Sequence, residues 1–200
     1  LPICHVTGSA QAILNTQTSQ VHLFQRTDAD HVSVDPTRTS LTGSGGRFSF
    51  NKRGGGNFGY SIGFHYRSPE IELNDIGFLR QSDFIRQYIS LRYKTLKPIG
   101  QFRNFSTRIL QFSSHDFQGN FNRMEYRLNF DVGLLNNWNY DVGLVHKPRI
   151  YESTTLRGGP MWRFSEENAV SFATRTDERK RLSGFAGFIY SQAKENHFSM

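Results

Sequence analysis

Hydrophobic and polar residues alternate one by one along most of the chain from about residue 47 onward. The clearest case runs from Arg123 to Leu134, where one face carries Met124, Tyr126, Leu128, Phe130, Val132 and Leu134. The other face carries Arg123, Glu125, Arg127, Asn129, Asp131 and Gly133. A period of two places alternate side chains on opposite faces of a strand, so this pattern predicts β-structure.

Residues 58–67, 84–94 and 138–144 repeat the pattern. Several of these segments reach ten residues, which is longer than the usual five or six of globular sheets. One face is apolar and rich in aromatic residues, whereas the other carries charges and glycines. The chain is therefore predicted to be all-β.

Two architectures suit strands with one apolar face. A soluble sandwich buries the apolar face between two sheets. A transmembrane barrel turns that face to lipid, with strands of about 9–11 residues tilted across the bilayer.

The connections decide between them, because long and short connections alternate along the chain. The predicted outer loops are 68–81, 113–118, 148–159 and 176–179, and the predicted opposite turns are 51–57, 97–100, 136–137 and 165–168. Outer-membrane barrels alternate long external loops with short periplasmic turns. We therefore favour an antiparallel up-and-down transmembrane β-barrel with about eight to ten strands in this chain.

The first 46 residues are less regular than the rest. Val6–Leu14 is predicted as a strand, and Thr27–Gly46, which is rich in Asp, Thr, Ser and Gly, as a loop. We expect residues 1–200 to be part of a single β-barrel domain, truncated at both ends, with regular hairpins over 47–191.

Three stretches resemble a known bacterial family. They are "GRFSFNKRGGGNFGYSIGFHYRSP" at 46–69, "SPEIELNDIGFLRQSD" at 68–83 and "LRGGPMWRF" at 156–164. Together they resemble the C-terminal domain of unknown function 5916, commonly preceded by a family-9-like carbohydrate-binding module. The resemblance covers about Gly46 to Tyr190. It implies a β-barrel in the outer membrane of Gram-negative bacteria, with lipid and lipopolysaccharide as partners and a carbohydrate link through the preceding module.

The charge balance favours anionic partners, because the net charge is +7 and the sequence pI is about 9.8. Single-strand nucleic-acid binders also interleave basic and aromatic residues. In the clearest strands, however, the aromatic residues lie opposite the arginines, so a stacked base could not contact both. No nucleic-acid partner is expected.

The candidate residues of the external loops form two groups: Glu70, Glu72, Asn74 and Asp75, and then Arg157, Gly158 and Gly159. Paired carboxylates suit acid–base catalysis or an ion or glycan contact, but an Asx turn after Pro69 explains the first group more simply. Since loops meet at the barrel mouth, the three carboxylates could pair with Arg157, Arg175, Arg179 or Lys180. We predict no catalytic residues, no metal site and no cofactor, and therefore no enzyme.

The charged face of the strands supplies the lumen-facing candidates Arg86, Arg92, Arg123, Glu125, Arg127 and Asp131. They would line either a passage that selects anions or a salt-bridged plug in a narrow barrel. The expected function is transport, export or surface handling of a solute or polymer. The alternative is a soluble all-β module that binds glycans or other anions.

Overall fold

The computed structural model describes residues 3–74, 77–95, 97–194 and 198–199. In chain order the elements are β1 (Ile3–Thr7), α1 (Ala10–Gln17), β2 (Ser40–Lys52), β3 (Phe58–Arg67), β4 (Phe84–Lys94), β5 (Phe102–His115), β6 (Phe121–Leu134), β7 (Asn139–Lys147), β8 (Ile150–Glu152), β9 (Trp162–Phe164), β10 (Glu167–Arg175), β11 (Phe185–Ala193) and β12 (Phe198–Ser199). Ten of these strands form one antiparallel sheet in the order β1-β2-β3-β4-β5-β6-β7-β10-β11-β12, and β8 pairs with β9 separately. The prediction of an all-β, up-and-down antiparallel sheet is confirmed.

The first 46 residues depart from the prediction. Val6–Leu14 is not a strand, because β1 ends at Thr7 and α1 follows within the same stretch. The side chain of Ser9 caps α1 by accepting a hydrogen bond from the backbone N–H of Ala12 at 3.2 Å, and Ala, Gln and Leu favour the helix that follows. No described helix is long and apolar enough to cross a membrane.

Strand register keeps the apolar positions on one face of the sheet. Across β2, β3 and β4, Phe50 pairs with Ile62 and Ile62 with Ile89. Across β6, β7 and β10, Leu128 pairs with Leu144 and Leu144 with Val170. We call this surface the apolar face and the opposite surface the polar face.

The apolar face is exposed rather than covered by a second layer. Large side chains on it remain 37–66% accessible, among them Phe48, Phe50, Phe58, Ile62, Phe64, Ile89, Leu91, Tyr93, Ile109, Tyr126, Leu144, Val170, Phe188 and Tyr190. Contiguous exposed apolar surfaces of this kind mark contact with a partner or a membrane.

The buried core lies instead on the polar face, at the end of the sheet that holds the 68–83 loop. Residues 8–39, which we call the inner segment, cover this end and bury Ile13 and Phe24 against Leu41 of β2. The loop packs close to β2 because Gly43 has no side chain, and a Cβ there would overlap the backbone of Ile71. The sheet therefore has one open apolar surface and one surface filled at one end.

The distribution of the connections between the two ends of the sheet differs from the prediction after β7. The connections 68–83, 116–120 and 148–166 share one end, which we call the loop end, and 53–57, 95–101, 135–138 and 176–184 share the other, which we call the turn end. The prediction that 165–168 is a turn at the turn end and 176–179 an outer loop is wrong. Within the part of the chain that the structure describes, residues 162–164 pair with β8 alone and do not cross the ten-stranded sheet, so the order of ends is inverted from there on. Consistently, Asn137 donates a hydrogen bond to Asp177 at 3.3 Å.

Candidate functional site

The polar face carries all six residues predicted to face a lumen. The register aligns Arg86 with Ser114 and Ser114 with Arg123, and it aligns Arg92 with Arg108. Glu125 and Arg127 follow Arg123 at two-residue intervals on β6, and Asp131 lies four residues after Arg127 on the same face. Their contribution to a lumen stays a prediction.

Glu125 organises the charges on β6. Its side chain is only 7% exposed and lies 2.7 Å from Arg127 and 3.9 Å from Arg123. Both arginines are much more exposed than the carboxylate, and they carry two positive charges against its one negative charge. The three side chains together therefore present net positive charge at the surface.

Glu70 forms a bidentate ion pair with Arg38 of the inner segment, with both N–O distances at 2.9 Å. This hydrogen-bonded guanidinium lowers the pKa of Glu70. Two of the predicted partners lie elsewhere: Arg175 pairs with Asp141, and Arg179 with Asp177. The proposed pairing of Glu70 with these arginines is wrong, because residues 176–184 lie at the turn end.

The residues after Glu70 shape the loop. Glu72 accepts a hydrogen bond from the backbone N–H of Asn74 at 2.7 Å, and the Asn74 side chain accepts one from the N–H of Leu79 at 3.1 Å. Glu72 also lies 3.9 Å from the ring of His22. Asp75 lies outside the described residues.

Arg157, Gly158 and Gly159 form a tight bend beside the inner segment. Arg157 has a φ of 49° and Gly158 a φ of 106°, so both adopt left-handed backbone. A Cβ at Gly158 would contact the side chain of Gln25. The glycine thus allows this bend to lie against the inner segment.

A buried network joins the inner segment to the start of β4, and no pattern in the sequence predicts it. Asp83 accepts hydrogen bonds from Arg26 at 3.2 Å, from His31 at 2.9 Å and from the backbone N–H of Phe117 at 3.0 Å. The Arg26 side chain is 2% exposed and also lies 3.9 Å from Asp116. We call Arg26, His31, Asp83 and Asp116 the Asp83 latch.

The pKa values of two histidines near this network, His31 and His22, are shifted in opposite directions. The hydrogen bond to Asp83 raises the pKa of His31. Burial lowers the pKa of His22, whose ring contacts the carbonyl oxygen of Ile71 at 3.0 Å. The latch therefore favours a charged His31, while the neighbouring loop contact favours a neutral His22.

Above the polar face of β3 and β4 lies a basic cavity of about 600 Å³. Its lining includes Arg67 and His65 of β3, Arg86 of β4, Arg80 of the 68–83 loop and Arg157. We call it the arginine cavity. Of these residues, only Arg86 and Arg157 are among the candidates predicted from the sequence, Arg86 as a lumen-facing residue and Arg157 in an external loop.

These features define an all-β protein with an exposed apolar face, a charged face and loops that close over one end of the charged face. The chain belongs to the family described as Domain of unknown function (DUF5916), whose family model matches residues 4–199. The predicted family is confirmed, and the match extends beyond the stretches that suggested it. Searches of the curated proteins and of the solved structures gave no match.

Proposed function

We propose that the chain forms part of a β-barrel of the bacterial outer membrane and handles the passage of a solute or polymer, with a preference for anions. The observation that carries this proposal is the exposed apolar face, which continues from β2 to β11. A soluble protein rarely exposes a surface of this extent without a partner. We propose that the apolar face contacts the hydrocarbon interior of the lipid bilayer.

The lengths of the strands support this environment. A ten-residue strand such as β3 spans about 33 Å at about 3.3 Å per residue. At a tilt of about 45° it covers about 23 Å along the membrane normal, close to the apolar band of about 25 Å of outer-membrane barrels.

The aromatic residues support it as well. Tyr66 and Tyr126 lie toward the loop end of the apolar face, and Tyr93 and Tyr140 toward the turn end. Isoleucine, leucine, valine and phenylalanine occupy most of the positions between, with Gln87 and Gln111 among them. Amphipathic aromatic rings at both borders of an apolar band are typical of membrane proteins. Trp162 does not contribute to these borders, because it lies on β9 outside the ten-stranded sheet.

The polar face supports passage of anions rather than cations. Arg86, Arg92 and Arg108 lie on it without a carboxylate partner among the described residues, and Arg123 and Arg127 share the single carboxylate of Glu125. A surface on which arginines outnumber their carboxylate partners attracts anions. The inner segment fills the loop end of this face, so we propose that it acts as a plug that regulates entry.

Localisation is the first test. After lysis of the native host, the protein that carries this chain is expected in the outer-membrane fraction of a density gradient, together with lipopolysaccharide. Recovery in the soluble fraction would instead support the soluble all-β binding module.

Conductance in planar bilayers tests passage. The purified protein is expected to form channels whose reversal potential in a salt gradient indicates anion selectivity. Arg92→Glu should reduce that selectivity, whereas Arg181→Glu, an exposed position in the 176–184 turn, should leave it unchanged. Cation-selective channels, or equal effects of the two variants, would contradict the proposal.

A further inference from the structure

We propose that the arginine cavity is a binding site for a small organic oxyanion, a molecule that carries a phosphate, sulfate or carboxylate group. The inference rests on the proposed function only in taking the polar face to be accessible from water.

Four arginines from separate parts of the chain converge on this cavity. Arg67 comes from β3, Arg80 from the 68–83 loop, Arg86 from β4 and Arg157 from the 148–166 connection. Among the described residues, no carboxylate lines the cavity or forms an ion pair with any of the four. Converging guanidinium groups repel one another, so an arrangement without a carboxylate leaves the neutralising charge to a ligand.

The two arginines of the inner segment, by contrast, are each paired with a carboxylate. Arg26 pairs with Asp83 and Arg38 with Glu70. The same fold therefore neutralises arginines where it holds two segments together. In the arginine cavity it leaves them without acidic partners.

Two of the four guanidinium groups, those of Arg86 and Arg67, are held in position by neutral groups. Arg86 donates to the side-chain oxygen of Gln81 at 2.6 Å and lies 3.8 Å from the centre of the Phe84 ring. Arg67 donates to the backbone carbonyl of Gln81 at 3.3 Å. Each guanidinium has five N–H donors, so donors remain for a bidentate contact with an oxyanion.

Arg157 adds an independent sign of a functional role. It lines the cavity from a left-handed backbone conformation, with a φ of 49°, that is unfavourable for a long side chain. Its backbone N–H donates to the carbonyl of Thr154 at 3.2 Å, and Thr154 also lines the cavity. Strained positions of this kind concentrate at ligand sites.

The volume limits the size of the ligand. About 600 Å³ is in the usual range for small-molecule sites. Arg86 and Gln81 also line a neighbouring cavity of about 580 Å³, which contains both basic and acidic residues. The charged group of the ligand would lie among the four arginines, and an uncharged part could extend into the neighbouring cavity.

Binding of inorganic pyrophosphate to the purified full chain in an uncharged detergent tests the site, measured by isothermal titration calorimetry at low ionic strength. We expect the wild-type chain to bind pyrophosphate saturably and sulfate to compete for the same site. The affinity for pyrophosphate should fall at least tenfold in Arg86→Gln and, separately, in Arg157→Gln. Arg181→Gln, which removes the same charge from the turn end, is expected to stay within twofold of the wild type. Arg157→Gln removes no described side-chain hydrogen bond, so it reports on binding even if Arg86→Gln folds poorly.

Absence of saturable pyrophosphate binding by the wild-type chain would overturn the proposal. So would equal weakening in Arg181→Gln and Arg157→Gln, because it would show a general effect of net charge. The measurement does not depend on channel formation. Binding without conductance would refute the proposed passage alone, and conductance without binding would refute the arginine cavity alone.

Discussion

Replacing Asp83 by Asn should release the inner segment from the sheet while leaving the strands intact. Asp83 has a φ of 53°, a conformation that Asn tolerates better than most residues, so the substitution removes charge without forcing a new backbone. The amide can still accept the hydrogen bond from Phe117. What it cannot provide is the negative charge that neutralises Arg26.

The size of the effect follows from the burial of Arg26. Its side chain is 2% exposed, and its Nη1 has no hydrogen-bond partner among the described residues, so the guanidinium depends on Asp83 and on Asp116 at 3.9 Å. Breaking a buried ion pair by removing one partner costs about 3–5 kcal/mol. Because Asp116 remains, we expect about 3 kcal/mol, which increases the opening equilibrium about 100-fold.

Hydrogen exchange of the backbone amides of residues 22–31 measures this opening. Asp83→Asn should accelerate their exchange about 100-fold and leave β3 to β6 protected. Asp30→Asn, an exposed carboxylate on the same segment, is the matched control and should change exchange by less than about threefold. Equal exchange rates in the two variants would refute the reasoning that the Asp83 latch holds the segment.

Three further predictions follow from the same contacts. Since the pKa of His31 is raised in the folded protein, its stabilising charge is complete below about pH 6.5 and is lost as the pH rises through the folded pKa. Exchange of residues 22–31, corrected for intrinsic rates, should therefore accelerate as the pH rises above 6.5, and His31→Gln should abolish this dependence; a dependence that survives the substitution would exclude His31 as its source. Gly43→Ala should destabilise the protein by about 1–3 kcal/mol in urea unfolding, because the new methyl group overlaps the backbone of Ile71, while Gly54→Ala, in open space, should not; equal midpoints would contradict this close approach. Glu70→Gln should lower the free energy of unfolding by less than about 1 kcal/mol, because both partners of the Arg38 pair are about one-third exposed; a loss of several kcal/mol would show that the pair is the main brace of the loop.

The period of two was sufficient to predict β3, β4, β6 and β7, because alternate positions in these strands separate mostly apolar from polar and charged residues. It did not predict the start of β2, since Ser40–Gly46 lies in the stretch that the sequence predicts as a loop. It failed where local chemistry competes with it. At Val6–Leu14, the Ser9 cap and the helix-forming residues after it stabilise α1, and Ile13 completes the core against Leu41. At 160–164, alternation alone could not show that the segment pairs only with the short strand β8.

The candidate site was less predictable, because its contacts join residues far apart in the chain. Glu70 binds Arg38, 32 residues away, and Asp83 binds Arg26, 57 residues away. Arg26 and Arg38 lie in a segment without periodic pattern, so nothing in the sequence directs them to particular carboxylates. The face occupied by Arg86 and Arg123, by contrast, follows from strand alternation alone.

Spin labels placed one at a time along β4, from residue 85 to residue 93, test the central claim most directly. In a chain with Cys4 replaced by Ser and reconstituted in lipid vesicles, labels at 85, 87, 89, 91 and 93 should be accessible to oxygen dissolved in the bilayer. Labels at 86, 88, 90 and 92 should instead be accessible to a water-soluble nickel complex. This alternation would show that the apolar face meets lipid and the polar face meets water. Equal access of the nickel complex to both sets of positions would contradict the account.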